Sequence, residues 1–196
     1  MGEMSLNTFV VGEEPSKITP RYLVVRHGPK EYDNNKSPDG TYPLDPALTD
    51  EGRELAYQHF VQLLQSFEPP VRIVTSPFLR ARETAQELRR AIFDITGLSV
   101  SIYREPLMGE FLGHQVQHRR IKKGDFRPET GHVVIDKTIS EMEHLRVPQL
   151  RKKVVLYPKN TWMVSHGVVI KYWHDVRYPE FLHGSWVDQD NKIHEL

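Results

Sequence analysis

Two stretches of this chain stop at the same pair of residues. Leu23-Val24-Val25-Arg26-His27-Gly28 lies near the start, and Trp162-Met163-Val164-Ser165-His166-Gly167 lies far downstream. Each is an apolar, β-prone run ending in His-Gly. A buried strand that ends this way carries an imidazole to the rim of a sheet, and glycine lets the backbone turn away. Two such strands predict two imidazoles at one sheet edge. Phosphoryl transfer without metal or thiolate needs a nucleophile, cationic donors for the phosphoryl oxygens and an acid for the leaving oxygen. His27 can serve as nucleophile if its second nitrogen is held by an acceptor. Arg26 is adjacent, Arg80 opens the helix after Ser76-Pro77, and His166 adds a donor. A planar guanidinium suits phosphate oxygens and does not titrate away. Glu110 is the best-placed carboxyl, with Glu105, just before Pro106, as its competitor.

Each residue alone has an ordinary reading, as a structural histidine or a solvated arginine. It is their ordered conjunction that points to chemistry. His114 and His118 stand one helical turn apart, a spacing that suits a metal, but no third ligand is evident nearby, so neither metal nor cofactor is expected. The basic run Arg119, Arg120, Lys122, Lys123 reads as a solvated loop, with steering of a polyanionic or phosphoprotein substrate as the alternative. Trp162, Tyr172 and Trp173 read as packing residues.

The elements that must position these groups alternate. A strand over residues 21–26 leads into a polar loop, 29–47, with a Pro38-Asp39-Gly40 turn signal. That loop could act as a substrate lid, which makes Lys30 a candidate contact. Thr49 or Asp50 caps a helix whose buried stripe is Ala56, Phe60, Leu63, Leu64 and Phe67, and Pro69-Pro70 stops it. A strand over 71–75 follows. The next helix has Ala81, Ala85, Leu88, Ile92 and Ile95 on one face and ends at Gly97. Residues 98–103 read as a third strand. A helix around 137–146 should end before Pro148. Then come the second His-Gly strand, a helix over 168–176 and one C-terminal edge strand near 185–193. Alternation of this kind predicts a three-layer α/β sandwich, a central mainly parallel sheet with helices on both faces. Ligands sit beyond the C-terminal strand ends of such sheets.

With 196 residues the chain supports one domain, expected over 20–196, with residues 1–19 as a flexible arm on which Phe9-Val10-Val11 could pack. Formal charge is zero and cysteine is absent. Balanced charge argues against nucleic acid as a partner. Absent cysteine excludes disulfides and thiolate catalysis. No apolar run approaches the roughly 20 residues of a spanning helix, so no membrane partner is expected and a cytoplasmic location is.

The ordered set Arg26-His27-Gly28, Leu48-Thr49-Asp50-Glu51-Gly52, Ser76-Pro77-Phe78-Leu79-Arg80-Ala81-Arg82-Glu83-Thr84-Ala85, Glu110 and Ser165-His166-Gly167 resembles the first branch of the histidine phosphatase superfamily, the phosphoglycerate mutase-like group. The resemblance implies a phosphate pocket of Arg26, Arg80 and His166 around a transiently phosphorylated His27. It implies Glu110 as general acid and then base, and contributions from Gly28, Lys30 and Gly167 to substrate binding. The implied substrate is a phosphorylated small molecule or phosphoprotein, and a homodimer is compatible. Pro29 and Lys30 follow the motif where relatives often have Glu, Gln or Thr, and Asp33 stands where mutase-type members carry asparagine. Both changes favour phosphate release over mutase chemistry. A phosphoglycerate mutase-type phosphotransferase and a low-activity regulatory or binding module that retains the pocket are the two alternatives.

Overall fold

The computed structural model describes residues 16–31, 45–110 and 139–196. In chain order these give β1 (Tyr22–Arg26), α1 (Asp50–Ser66), β2 (Arg72–Thr75), α2 (Leu79–Thr96), β3 (Ile102–Arg104) and a 3-10 turn (Pro106–Met108). There follow α3 (Ile139–Glu141), a π-helical turn (Met142–Arg146), α4 (Val147–Val154), β4 (Thr161–Ser165), α5 (Gly167–His174), β5 (Gly184–Val187) and β6 (Ile193–Glu195). The strands form one sheet in the order β3-β2-β4-β1-β5-β6. The first four are parallel, and β5 and β6 are antiparallel.

Strand side chains alternate between two cores, as a pleat requires. Leu23, Val25, Ile73, Trp162 and Val164 pack under α1 and α2 with Ala56, Phe60, Ala85 and Leu88. Val24, Val74 and Met163 pack on the opposite face with Met142, Leu150, Ile170 and Trp173. Burying one such Leu, Ile or Phe stabilises by roughly 1.5–3 kcal/mol, so this two-sided core fixes the level of the strand ends. β1 and β4 are neighbours in register, with Arg26 beside Ser165. The helices that follow them lie on opposite faces, which opens a crevice between these two strand ends.

Several expectations are corrected. The helix expected to stop before Pro148 runs on to Val154. The π-turn shifts the hydrogen-bond register, with Val147 N–H donating to the Met142 carbonyl, so Pro148 stands in the first turn of α4, where proline is tolerated. The third strand is shorter than 98–103, because pairing to β2 begins only at Ile102. Ile95 is exposed in the last turn of α2, unlike Ala81, Ala85, Leu88 and Ile92. The single C-terminal strand is two. Asp188 accepts from the N–H groups of Asp190 and Lys192, and Asn191 turns the chain at φ 66°. Ile18 already bridges to Phe67, so packing begins before residue 20. Residues 1–15, with Phe9-Val10-Val11, lie outside the described residues. No helix among the described residues is long and apolar enough to cross a membrane.

Candidate active site

His27 follows β1 directly, and its N–H donates to the Ser165 carbonyl at the end of β4 (3.0 Å). His166 is the next residue there and caps α5. The two rings meet edge to face at 5.2 Å between centroids. Arg80, in the first turn of α2, donates from Nε to His27 Nε2 at 3.2 Å. A guanidinium only donates, so Nε2 holds the lone pair and Nδ1 carries the hydrogen it gives to the Gly28 carbonyl at 2.8 Å. The Nε2 lone pair therefore points at Arg80. Thr84, one turn after Arg80, accepts from Gly28 N–H and donates to the Arg80 carbonyl. Both polar backbone groups of Gly28 are thus engaged within the protein.

Arg80 is almost fully buried and meets two carboxylates. One Nη donates to Glu110, and the other lies 3.5 Å from Asp45, whose carboxylate also accepts from Leu79 N–H at the start of α2. His166 Nδ1 is 3.3 Å from the same Glu110 oxygen. Its Nε2 is 2.8 Å from the Ser76 hydroxyl, and Phe78 N–H donates to that hydroxyl oxygen. A Ser76 proton on Nε2 leaves the hydrogen of His166 on Nδ1, facing Glu110. Arg26 stacks on Phe181 at 3.9 Å and donates to the Pro179 carbonyl. Phe181 also packs on the His27 ring. A Cβ on Gly167 would come within 2.6 Å of the Tyr178 ring, so any larger residue there would push that ring from its place beside Arg26.

Glu110 is held from behind. Arg146, in the π-turn, donates to the Leu107 and Gly109 carbonyls, and Ser165 donates to the Met108 carbonyl. Glu105 accepts from Leu107 N–H and pairs with Tyr157 and Lys153. Of the two competing carboxyls, Glu110 thus faces the histidines and Glu105 braces the turn.

Burial, then the charges of Arg80 and His166, hold His27 well below the usual histidine range. Burial pushes His166 down to about 4 against the pull of Glu110. Both imidazoles are neutral at neutral pH. Burial alone would raise Glu110, but His166, whose neutral ring still offers its Nδ1–H, and the Arg80 cation override it and hold the carboxyl well below its usual range. Burial raises Asp45 despite the Leu79 N–H and Arg80. Nitrogens of His27 and His166 and a Glu110 oxygen lie within 4.8 Å of one another, a spacing that a metal could use. Arg80 already donates to two of these three groups. Among the described residues, Arg26 Nε, Arg80 Nη1 and His166 Nδ1 are buried without a hydrogen-bond acceptor.

His27, Arg80, Glu110 and His166 are brought together, and Arg26 adjoins them through Phe181. Lys30 bridges to Leu48 through its backbone and is half-buried. His114, His118, Asp33 and the basic run 119–123 lie outside the described residues. Asp45, Arg146 and Phe181 were not singled out from sequence, and Ser76 and Thr84 stood in the motif around Arg80 without a role. Thr84 had a signal, its four-residue spacing from Arg80. The others are joined to the site only by tertiary contact.

The family model of the histidine phosphatase superfamily, branch 1, matches residues 22–176, and the chain belongs to that superfamily. Solved structures of low identity share the fold. One described as mycobacterial hydrolase 1 is 16% identical over 90% of this chain and 96% of its own, with a TM-score of 0.57. Mycobacterial glucosyl-3-phosphoglycerate phosphatase bound to VO3 is 15% identical over 90% and 97%, with a TM-score of 0.57. Phosphoserine phosphatase from Entamoeba histolytica with 3-phosphoglyceric acid is 16% identical over 89% and 93%, with a TM-score of 0.51. No curated protein matches the sequence.

Proposed function

We propose that this chain is a metal-independent phosphomonoesterase working through phosphohistidine on His27. The observation that carries the reading is a buried, neutral His27 whose Nε2 lone pair faces the Arg80 guanidinium, with Arg26 Nε, Arg80 Nη1 and His166 Nδ1 buried nearby and making no hydrogen bond of good geometry. Buried donors without acceptors are costly, and a phosphate's oxygens would satisfy all three.

A phosphomonoester enters with its oxygens on Arg26, Arg80 and His166. His27 Nε2 attacks phosphorus in line, the bond to the leaving oxygen breaks, and Glu110 gives that oxygen a proton. Glu110 then takes a proton from water, which attacks phospho-His27 and releases inorganic phosphate. Glu110 is ionised in the free site, so it must gain its proton as substrate arrives. A phosphate dianion drawn to Arg80 and His166 removes the attraction that holds the carboxyl low, which lets it protonate at neutral pH. The fold is shared with phosphatases named for phosphorylated small molecules. That makes small phosphomonoesters the first class to assay, with phosphoproteins the second.

The test is turnover of p-nitrophenyl phosphate with and without chelator. Wild type should keep its rate in chelator, and His27→Ala should lose nearly all of it. A wild-type rate that depends on added magnesium overturns the reading.

A further inference from the structure

We propose that a cleft on the far side of α2 is a second oxyanion site, separate from the pocket around His27. It lies between α2 and the edge of the sheet, is lined by Thr75, Arg82, Gln86, Arg89, Ile102 and Arg104, and has a volume of about 150 Å³. A water occupies about 30 Å³ of liquid, so one tetrahedral oxyanion fits with hydration to spare.

The arginines of α2 are partnered unequally. Arg80 meets Glu110 and Asp45, and Arg90 meets Glu87, Asp94 and the Tyr57 ring. Arg82 and Arg89 make no ion pair or hydrogen bond with any residue, although Arg82 is close enough to Asp45 to be felt by it. Arg82, Gln86 and Arg89 are spaced by four and three, so they form one stripe along the helix. Arg104 closes the cleft from the end of β3. No carboxylate is among the described residues that line it, in a chain whose formal charge is zero. Arg82 and Arg89 stand on this stripe without an ion pair or hydrogen bond, and an oxyanion held between them would take forked hydrogen bonds from both. Gln86 adds an amide donor. Thr75 gives its hydroxyl proton to the Ser76 carbonyl and is wall only.

The site is not an extension of the catalytic pocket. Two residues of helix turn by about 200°, so Arg80 and Arg82 leave α2 on nearly opposite sides. Arg80 is not among the residues that line the cleft. The ligand class is a tetrahedral oxyanion, either free phosphate or a phosphorylated side chain of a partner. A second depression, lined by Gln86, Arg89, Arg90, Phe93 and Ser99, continues the groove along the helix and offers room for the chain beyond such a side chain.

Calorimetric titration with inorganic phosphate, which needs no turnover, tests this. The wild type should bind two equivalents, and Arg82→Ala/Arg89→Ala should bind one. The variant should keep its rate on p-nitrophenyl phosphate and its melting temperature, since both side chains lie outside the core. A peptide carrying a non-hydrolysable phosphonate separates the two sources. Tighter binding than phosphate, lost in the variant, identifies a partner's side chain, and no gain over phosphate identifies the free ion. One phosphate equivalent in the wild type, or two retained in the variant, overturns the proposal. Neither result bears on whether His27 is phosphorylated.

Discussion

In the free protein Glu110 sits where an anion would sit, bonded to Arg80 and beside His166. Substrate must compete with it, and this sets the proton balance of binding. Because the carboxyl is held well below its ordinary value, an oxyanion that takes over Arg80 raises it. At pH 6–7 vanadate binding should therefore take up about one proton, read by calorimetry in buffers of different ionisation enthalpy. Glu110→Gln should abolish that uptake while still binding vanadate. Unchanged uptake in Glu110→Gln would assign the proton elsewhere. Arg80 is a second residue whose removal separates roles. Losing one charged donor from such a pocket typically costs about 100- to 1,000-fold in rate. Arg80→Ala also frees Nε2 of His27 from its donor, so its loss should lie at or above that range. A loss below tenfold would remove Arg80 from the transition state.

At the scale of elements, the Glu110 carboxyl is only as well placed as the turn that carries it. Arg146 grips that turn through two carbonyls, from a π-turn packed into the second core. Arg146→Met should lower kcat by about 10- to 100-fold, as small misplacements of a reacting group do. KM should change little and the acid limb of the pH profile should move, because Arg146 also bears on His166. An equal loss of kcat and thermal stability, with the pH profile unmoved, would make Arg146 merely structural. The first turn of α1 carries another constraint. A Cβ on Gly52 would stand 2.3 Å from the Pro29 carbonyl, so Gly52→Ala should displace the loop that orients His27 and lower both stability and rate.

These elements also show what a sequence can disclose. The Arg26-His27-Gly28 and Ser165-His166-Gly167 junctions were legible because strand runs and turn residues are local signals. Arg80 was legible through the Ser-Pro motif before it. Ser76 and Asp45 were not given roles, because a hydroxyl or carboxyl in a loop gives no sign of which helix end or imidazole it will meet. Pro148 misled because proline stops a helix only when its missing N–H falls inside an unbroken register, and the π-turn resets that register. The hairpin of β5 and β6 was missed because its turn is closed by the Asp188 side chain rather than by glycine or proline.

For the whole molecule, pH acts on stability mainly through histidines buried uncharged. His59, His166 and His174 are pushed by burial down to about 4, and His27 lies well below its ordinary value. The unfolded chain binds these protons near pH 6.5 and the folded chain does not, so stability is lost as pH falls through that window. Glu110, also depressed, adds loss at lower pH, while Asp45, raised, opposes it. The melting temperature should decline steadily from pH 6.5 towards 4, and a flat curve over that interval would contradict the burial of neutral imidazoles. The central claim is covalent, and one measurement meets it directly. Protein mixed with a phosphomonoester, quenched within milliseconds and digested under alkaline conditions should yield a phosphorylated peptide with the group on His27. Turnover with no phosphohistidine, or with the label on another residue, would contradict the account.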